Sequence, residues 1–170
     1  MGFLVLFAVA VLGCAAPDVA PAFLGISRHA PDLFVAVAAY LGLRGRGAGA
    51  LAGAVFLGCL RDCASLDPLG MHGFVLGAVA FVFLRPERVH VPTGASRALL
   101  VAVACVLAHG LLLLHLLVVP RDGSGPDFAS LRGAFPTALW TALASWPLLA
   151  LLDKTGLLDD QTGARRGLAA

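Results

Sequence analysis

Residues 49–73 read GALAGAVFLGCLRDCASLDPLGMHG, an apolar stretch with spaced glycines that ends at an Arg-Asp pair and runs into a Pro-Leu-Gly turn. An aspartate costs about 2.5–3.5 kcal/mol at the centre of a membrane helix and less near the interface, so Asp62 requires a partner. The stretch predicts two membrane helices joined by a short polar turn, and this hairpin is the first candidate for a functional site.

Composition determines the class of protein. The 170 residues are 59% hydrophobic and 13% charged, and the mean hydropathy is +0.92. This charge content is about half that of an ordinary soluble domain. The chain is therefore predicted to be an integral membrane protein. Its net charge of +2 is small and its basic residues are dispersed, which does not match the basic stripe needed to bind nucleic acid.

Charges and prolines divide the chain into six apolar segments. They are, approximately, residues 2–16, 31–43, 47–60, 68–84, 98–119 and 135–152. A membrane span needs about 20 residues, so the fifth segment is long enough, whereas the first three are shorter and must kink, thin the bilayer or pack irregularly. We predict an all-α bundle of about six short transmembrane helices forming one domain, residues 1–152, followed by a polar cytoplasmic tail, residues 153–170.

The first segment allows three interpretations. It spans the membrane as it stands, or it continues with a kink past Pro17 and Pro21. Alternatively it is a processed signal, because Val11 to Cys14 loosely resembles a lipoprotein cleavage box, although no basic residue precedes the apolar run. All three remain open at this stage.

The basic residues predict the orientation. One side of the membrane receives Arg44, Arg46, Arg85, Arg88, Arg97, Lys154, Arg165 and Arg166, and the other receives Arg28, Arg61, Arg121 and Arg132. By the positive-inside rule, the first side is cytoplasmic. Both termini are then cytoplasmic, and the turn that carries Asp62, Asp67 and His72 faces outward.

The third segment carries regularly spaced glycines. Gly45, Gly49 and Gly53 recur every four residues, and Gly58 follows five residues later. Such a smooth helix face lets a second backbone approach closely and gain dispersion contacts that lipid does not provide. The face is either ordinary packing inside the bundle or a docking groove for a partner helix.

The polar residues of the hairpin have distinct predicted roles. Asp67 and Pro68 suit the N-cap and the first position of the fourth helix. Asp62 has no such local role. It either bonds the amides of the following turn or pairs with Arg61, Arg28 or a partner protein.

The second segment begins with Pro31 and Asp32. Proline at the first helical position and an acid in the first turn are typical of a helix start. Tyr40, near the other end of the segment, is predicted to be an interfacial anchor with its ring in lipid and its hydroxyl among the headgroups.

No catalytic or metal motif emerges. The chain contains no GxSxG, no HExxH and no pair of intramembrane carboxylates within one turn. His109 and His115 are six residues apart, so they project about 240° from one another on a helix and do not share a metal. The four cysteines form no CxxC or Cys/His cluster. We expect neither enzymatic activity nor a cofactor.

One set of motifs resembles a known family. An apolar helix opens with Pro31-Asp32 and ends in Tyr40-Leu41-Gly42-Leu43-Arg44, a glycine-rich helix follows with Gly53, Gly58 and Asp62, and then comes Pro68-Leu69-Gly70-Met71-His72. This pattern resembles the bacterial rod shape-determining protein MreD. The resemblance is specific over residues 31–84 and only hydropathic elsewhere.

The resemblance implies a function. Proteins of this family are non-enzymatic components of the inner membrane that bind MreC and, with MreB, RodA and a class B penicillin-binding protein, direct peptidoglycan insertion along the cell side. The chain's partners would then be a single-span MreC-like protein, RodA, the penicillin-binding protein and membrane lipid, and a homodimer is left open.

The resemblance also implies a fold and an alternative function. The family is related in fold to the substrate-binding membrane subunits of energy-coupling-factor vitamin transporters, so the alternative is a subunit that binds a small molecule. The residues expected to bind a partner or support the motif are Pro31, Asp32, Tyr40, Gly49, Gly53, Gly58, Asp62, Pro68, Gly70 and His72.

Overall fold

The computed structural model describes residues 8, 11–14, 30–45, 47–65, 69–84, 94–118 and 129–154, and these form helices and their connections without a strand. The helices are α1, described at residues 8 and 11–14, α2 (Leu33–Arg44), α3 (Gly47–Ala64), α4 (Met71–Phe83), α5 (Ala95–Val118) and α6 (Ala129–Lys154). The prediction of an all-helical fold is confirmed for the described residues.

The observed helix boundaries differ from the predicted ones where polar residues occur. α3 continues through Ala64, so Arg61 and Asp62 belong to the helix. α4 begins at Met71, and the predicted capping pair at residues 67–68 lies outside the described residues.

Helix length separates two groups of helices. Among the described helices, those long and apolar enough to cross a membrane are Gly47–Ala64, Ala95–Val118 and Arg132–Lys154. α2 has 12 residues and α4 has 13. Two of the predicted spans are therefore short helices within a bundle of longer ones.

α2 is the central helix of the bundle. Every residue from Phe34 to Leu43 is buried, and α2 contacts α3, α4, α5 and α6. A helix that is apolar all round is stable when other helices enclose it. The sequence suggested a kink or a thinned bilayer for this short segment. Neighbouring helices surround α2 instead, so it does not need to span a membrane in contact with lipid.

Tyr40 is buried together with the rest of α2. The prediction that its ring is an anchor facing lipid is wrong, because Tyr40 is only 2% exposed. Its hydroxyl donates a hydrogen bond to Asp153 on α6 at 2.9 Å.

Glycines bring the helix backbones together. A Cβ added to Gly58 would lie 2.5 Å from Cα of Gly73 on α4 and would overlap the carbonyl oxygen of His72. A Cβ on Gly42 of α2 would lie 2.5 Å from the carbonyl oxygen of Ala80, also on α4. α4 therefore packs backbone to backbone against both neighbours, and Gly58 is a packing residue.

α3 has two different faces. The face toward the bundle is lined by Ala50, Ala54, Leu57 and Gly58, all buried. Gly49 is exposed and Gly53 is half-buried. Gly58 follows Gly53 by five residues, which rotates it about 140° around the helix. The predicted glycine stripe therefore divides, with Gly58 inside the bundle and Gly49 outside.

We predict that Gly58→Ala destabilises the fold by about 1–3 kcal/mol, because the added methyl group has only backbone to displace. Gly110→Ala is the matched control, since nothing lies within 4 Å of a Cβ at Gly110. That control should be neutral or slightly stabilising, as alanine is the better helix former. Thermal unfolding in detergent measures both, and equal effects would contradict the close contact.

Candidate functional site

Asp62 caps the start of α4 from the neighbouring helix. Its carboxylate accepts hydrogen bonds from the backbone amides of Gly70 at 2.8 Å, His72 at 3.0 Å and Gly73 at 3.3 Å. The imidazole Nδ1 of His72 lies 2.8 Å from the same carboxylate. Of the open alternatives for Asp62, the structure shows the bonds to the following turn. We call these four residues the Asp62 cap.

The turn before α4 is built for this cap. Gly70 has a φ of 94°, in the left-handed region that glycine adopts without steric cost. Glycine has no side-chain acceptor, so Gly70 does not cap α4 itself. Asp62 supplies the missing acceptor. Asp62 and His72 are only 3% and 5% exposed, so the charge of this hairpin is directed into the protein.

A second cluster forms at the start of α2. Asp32 is the N-cap, with one carboxylate oxygen accepting from the amide of Val35 at 3.2 Å. The other oxygen accepts from Nη1 of Arg61 at 2.7 Å, and the amide of Asp32 donates to Oγ1 of Thr141 on α6 at 2.8 Å. Asp32 does mark the helix start as expected, but Pro31 precedes the cap and does not occupy the first helical position.

Arg61 links α3 to the start of α2. Its guanidinium lies over the ring of Phe34, 5.3 Å from the centroid, and adds a cation–π contact to the ion pair with Asp32. Consecutive residues of a helix diverge by about 100°, so Arg61 reaches back to α2 while Asp62 reaches forward to α4. The sequence signal for the Arg61–Asp32 pair was the presence of opposite charges at the adjoining ends of two successive helices.

A cavity of about 360 Å³ opens beside this ion pair. Its lining combines polar and charged residues with apolar ones: Gly13, Cys14, Ala30, Pro31, Asp32, Phe34, Arg61, Ala64, Ser65, His109 and Thr137. Nδ1 of His109 lies 2.8 Å from the carbonyl oxygen of Cys105. Because a carbonyl only accepts, Nδ1 is the donor, and in a neutral imidazole Nε2 is then an acceptor. We call Asp32, Arg61, His109 and Thr141 the Asp32 cluster.

The chemistry of this cavity suits a small polar ligand better than a metal. Its guanidinium and hydroxyl groups donate hydrogen bonds, and its imidazole accepts them. Among the described residues, no three His, Cys, Asp or Glu side chains lie together as a metal site requires.

A third cluster lies at the other end of α2. Asp153 accepts hydrogen bonds from the hydroxyl of Tyr40 and from Nη2 of Arg44, both at 2.9 Å, and from Nη1 of Arg97 at 2.8 Å. We call these four residues the Asp153 cluster. Asp153 was predicted to begin the polar tail, whereas α6 extends through Lys154 and carries Asp153 against the bundle.

The Asp32 and Asp153 clusters lie at the two ends of α2. Three helices contribute to both clusters at positions twelve residues apart: Asp32 and Arg44, Arg97 and His109, and Thr141 and Asp153. Twelve residues of helix rise about 18 Å. The two clusters therefore tie α2 to its neighbours at two levels of the bundle.

The predicted site residues do not form one site. Asp62, Gly70 and His72 come together in the Asp62 cap, and Asp32 belongs to a separate cluster. Pro68 lies outside the described residues. Asp153 and Arg97, which the sequence analysis did not single out as site residues, complete the third cluster.

We predict that Asp62→Asn lowers the free energy of unfolding by about 3 kcal/mol. The asparagine amide has one acceptor oxygen, whereas the amides and imidazole of the cap now bond two carboxylate oxygens. The bonds that remain are also weaker, because hydrogen bonds to a charged group are the stronger ones. Cys63→Ser, a change at the exposed neighbouring residue, is the control. Thermal unfolding in detergent without any partner measures the effect. An unchanged midpoint for Asp62→Asn would contradict a structural role for the cap.

The comparison with protein families gives a match over most of the chain. The model of the family described as rod shape-determining protein MreD matches residues 1–154. Neither a comparison with curated proteins nor one with solved structures gives a match. The matched range contains all three clusters, and this chain belongs to the MreD family of rod shape-determining proteins.

Proposed function

We propose that this protein is a non-enzymatic scaffold of the bacterial inner membrane that binds a single-span MreC-like protein and so helps direct lateral peptidoglycan synthesis. Membership of the MreD family supports a role in determining rod shape. The observation that carries the binding proposal is the outward face of α3, where a partner helix can approach closely.

The outward face of α3 consists of Gly49, Ala52, Gly53 and Phe56. These positions follow the i, i+3, i+4, i+7 spacing of one helix face, and each is exposed or half-buried. Between membrane helices, small residues allow backbone contact and the dispersion gain that drives association. Among the described helices, α3 contacts α2 and α4, and both pack against its other face.

The α3–α4 hairpin also exposes apolar side chains. Leu69 is 80% exposed and Phe74 is 64% exposed, and both line a cavity with His115 of α5, while Asp62 and His72 are buried. The hairpin would therefore offer a fixed shape rather than a charge. The Asp62 cap holds that shape before any partner arrives, which reduces the ordering cost of binding.

Positioning is the mechanism that follows. A partner helix held along α3 would place its extracytoplasmic domain at a defined site, with RodA and a class B penicillin-binding protein as further members of the assembly. The distribution of basic residues supports an orientation with both termini in the cytoplasm and the α3–α4 turn outside.

We expect Gly53→Leu to abolish co-purification with an MreC-like single-span protein, because the larger side chain separates the two helix backbones. Gly110→Leu is the matched control, since Gly110 is exposed and a Cβ there meets nothing within 4 Å. The variants are compared by pull-down from detergent-solubilised membranes, with the thermal midpoint of each variant measured alone.

Three results are informative. Loss of the complex by Gly53→Leu with an unchanged thermal midpoint supports the α3 face. Retention of the complex by this variant would contradict that face, and failure of the unsubstituted chain to capture the partner would contradict the scaffold function.

The cavity beside Asp32 and Arg61 favours a second candidate function, a substrate-binding membrane subunit of a vitamin-type transporter. Its volume of about 360 Å³ falls at the lower end of the range for small-molecule pockets. A ligand that binds only the folded state raises the thermal midpoint. Stabilisation by a vitamin-sized molecule in detergent, without any partner, would favour this candidate over the scaffold.

A further inference from the structure

Five helices contribute to the cavity beside Asp32. Its lining comes from α1, the start of α2, the end of α3, the second half of α5 and the first half of α6. One water molecule occupies about 30 Å³ in the liquid, so a cavity of about 360 Å³ has room for a much larger molecule. Small molecules commonly bind between the helices of a bundle.

Three side chains of this cavity have hydrogen-bonding capacity that the described part of the chain does not use. Each carboxylate oxygen of Asp32 accepts one hydrogen bond and can accept a second. The ring of His109 bonds through Nδ1 alone among the described residues, which leaves Nε2 as an acceptor. The backbone carbonyl of Thr137 accepts from Thr141, whereas the hydroxyl of Thr137 has no partner in the described helices.

These three groups come from three different helices and line one space. The carboxylate of Asp32 on α2 and Nε2 of His109 on α5 accept hydrogen bonds, and the hydroxyl of Thr137 on α6 both donates and accepts. A molecule that bonds all three must therefore offer at least two donors. Several hydroxyl groups on one small carbon skeleton meet this requirement.

The charges and the walls of the cavity favour an uncharged ligand. Nη1 of Arg61 and a carboxylate oxygen of Asp32 are 2.7 Å apart, and both residues line the space. An ion of either sign beside this pair would lie close to a like charge, which is unfavourable where solvent screens little. Pro31 and Phe34 add apolar surface that a carbon skeleton can contact.

We propose that this cavity binds a small uncharged polyol. Its hydroxyl groups donate to Asp32 and to Nε2 of His109 and bond the hydroxyl of Thr137, while its carbon skeleton contacts Pro31 and Phe34. The polyol is either free in solution or the headgroup of a glycolipid. This binding depends neither on a partner at the outward face of α3 nor on transport.

The test uses the purified full-length chain in a detergent that carries no sugar. D-glucose, D-galactose, D-mannose and myo-inositol are titrated as uncharged polyols, and the thermal midpoint is measured. Tetrahydropyran-2-methanol has the sugar ring with a single hydroxyl, and D-glucuronate and protonated glucosamine carry opposite charges. We expect a saturable rise with at least one polyol, and an affinity at least tenfold lower for the three analogues.

A monoglucosyl diacylglycerol distinguishes the two sources of the ligand. Saturation at lower concentration than free glucose assigns the site to a glycolipid headgroup, whereas equal or weaker binding assigns it to a free polyol. Partner capture is measured on the same preparation. Polyol binding with capture adds a ligand to the scaffold, and polyol binding without capture assigns it to the transporter candidate.

Variants locate the site. His109→Leu removes the Nε2 acceptor, and Thr137→Val removes the hydroxyl at nearly constant volume. Each should lower the polyol affinity about tenfold, because one hydrogen bond is lost. His115→Leu is the matched control, since it makes the same change six residues further along α5, at a residue that lines a different cavity. This control should bind as the unsubstituted chain does.

Any of three results overturns the proposal. These are the absence of a saturable rise with all four polyols, equal affinity for tetrahydropyran-2-methanol or either charged analogue, and undiminished polyol affinity in the variants of the site. If His109→Leu does not fold, Thr137→Val decides the question. Failure of polyol binding in a chain that still captures its partner leaves the scaffold function standing.

Discussion

The polar groups at the two ends of α2 impose the constraint on which the rest of the bundle depends. Four helices contact α2, so the charged and polar groups at its ends meet partners on neighbouring helices. Asp32 caps one end and is neutralised by Arg61 from α3, while Arg44 at the other end binds Asp153 from α6. Each tie reaches a helix that also packs on α2. Satisfying the ends of α2 therefore fixes where its neighbours lie.

α3 connects the buried helices α2 and α4 to the outer surface of the bundle. Its adjacent residues Arg61 and Asp62 bind the starts of α2 and α4, and Gly58 brings α3 onto the α4 backbone. These three contacts hold α3 against its neighbours. A surface held in this way would suit the proposed scaffold, because a partner helix would bind without first ordering the surface it contacts.

The sequence predicted what depends on local pattern and missed what depends on distant pairing. Membrane class, helix content and the helix start at Asp32 follow from composition and from residues close in the chain. The partners of Asp153 lie on α2 and α5, more than 50 residues away in the sequence, and no periodicity indicates them. Tyr40 was misassigned for a related reason, since its position near a helix end predicts an interfacial ring only when that helix faces lipid. Burial of all sides of α2 is a property of the assembled bundle.

The ion pairs of the described helices lie at two levels along the bundle. The Asp32 and Asp153 clusters are about 18 Å apart, whereas a hydrocarbon core is about 30 Å thick. Both levels therefore fit inside a membrane-spanning bundle, where an ionised side chain needs partners within the protein. Each of the three aspartates has such partners: Arg61 for Asp32, Arg44 and Arg97 for Asp153, and three backbone amides with one imidazole for Asp62. The same rule explains why the polar cavity beside Asp32 is lined by an ion pair rather than by a single charge.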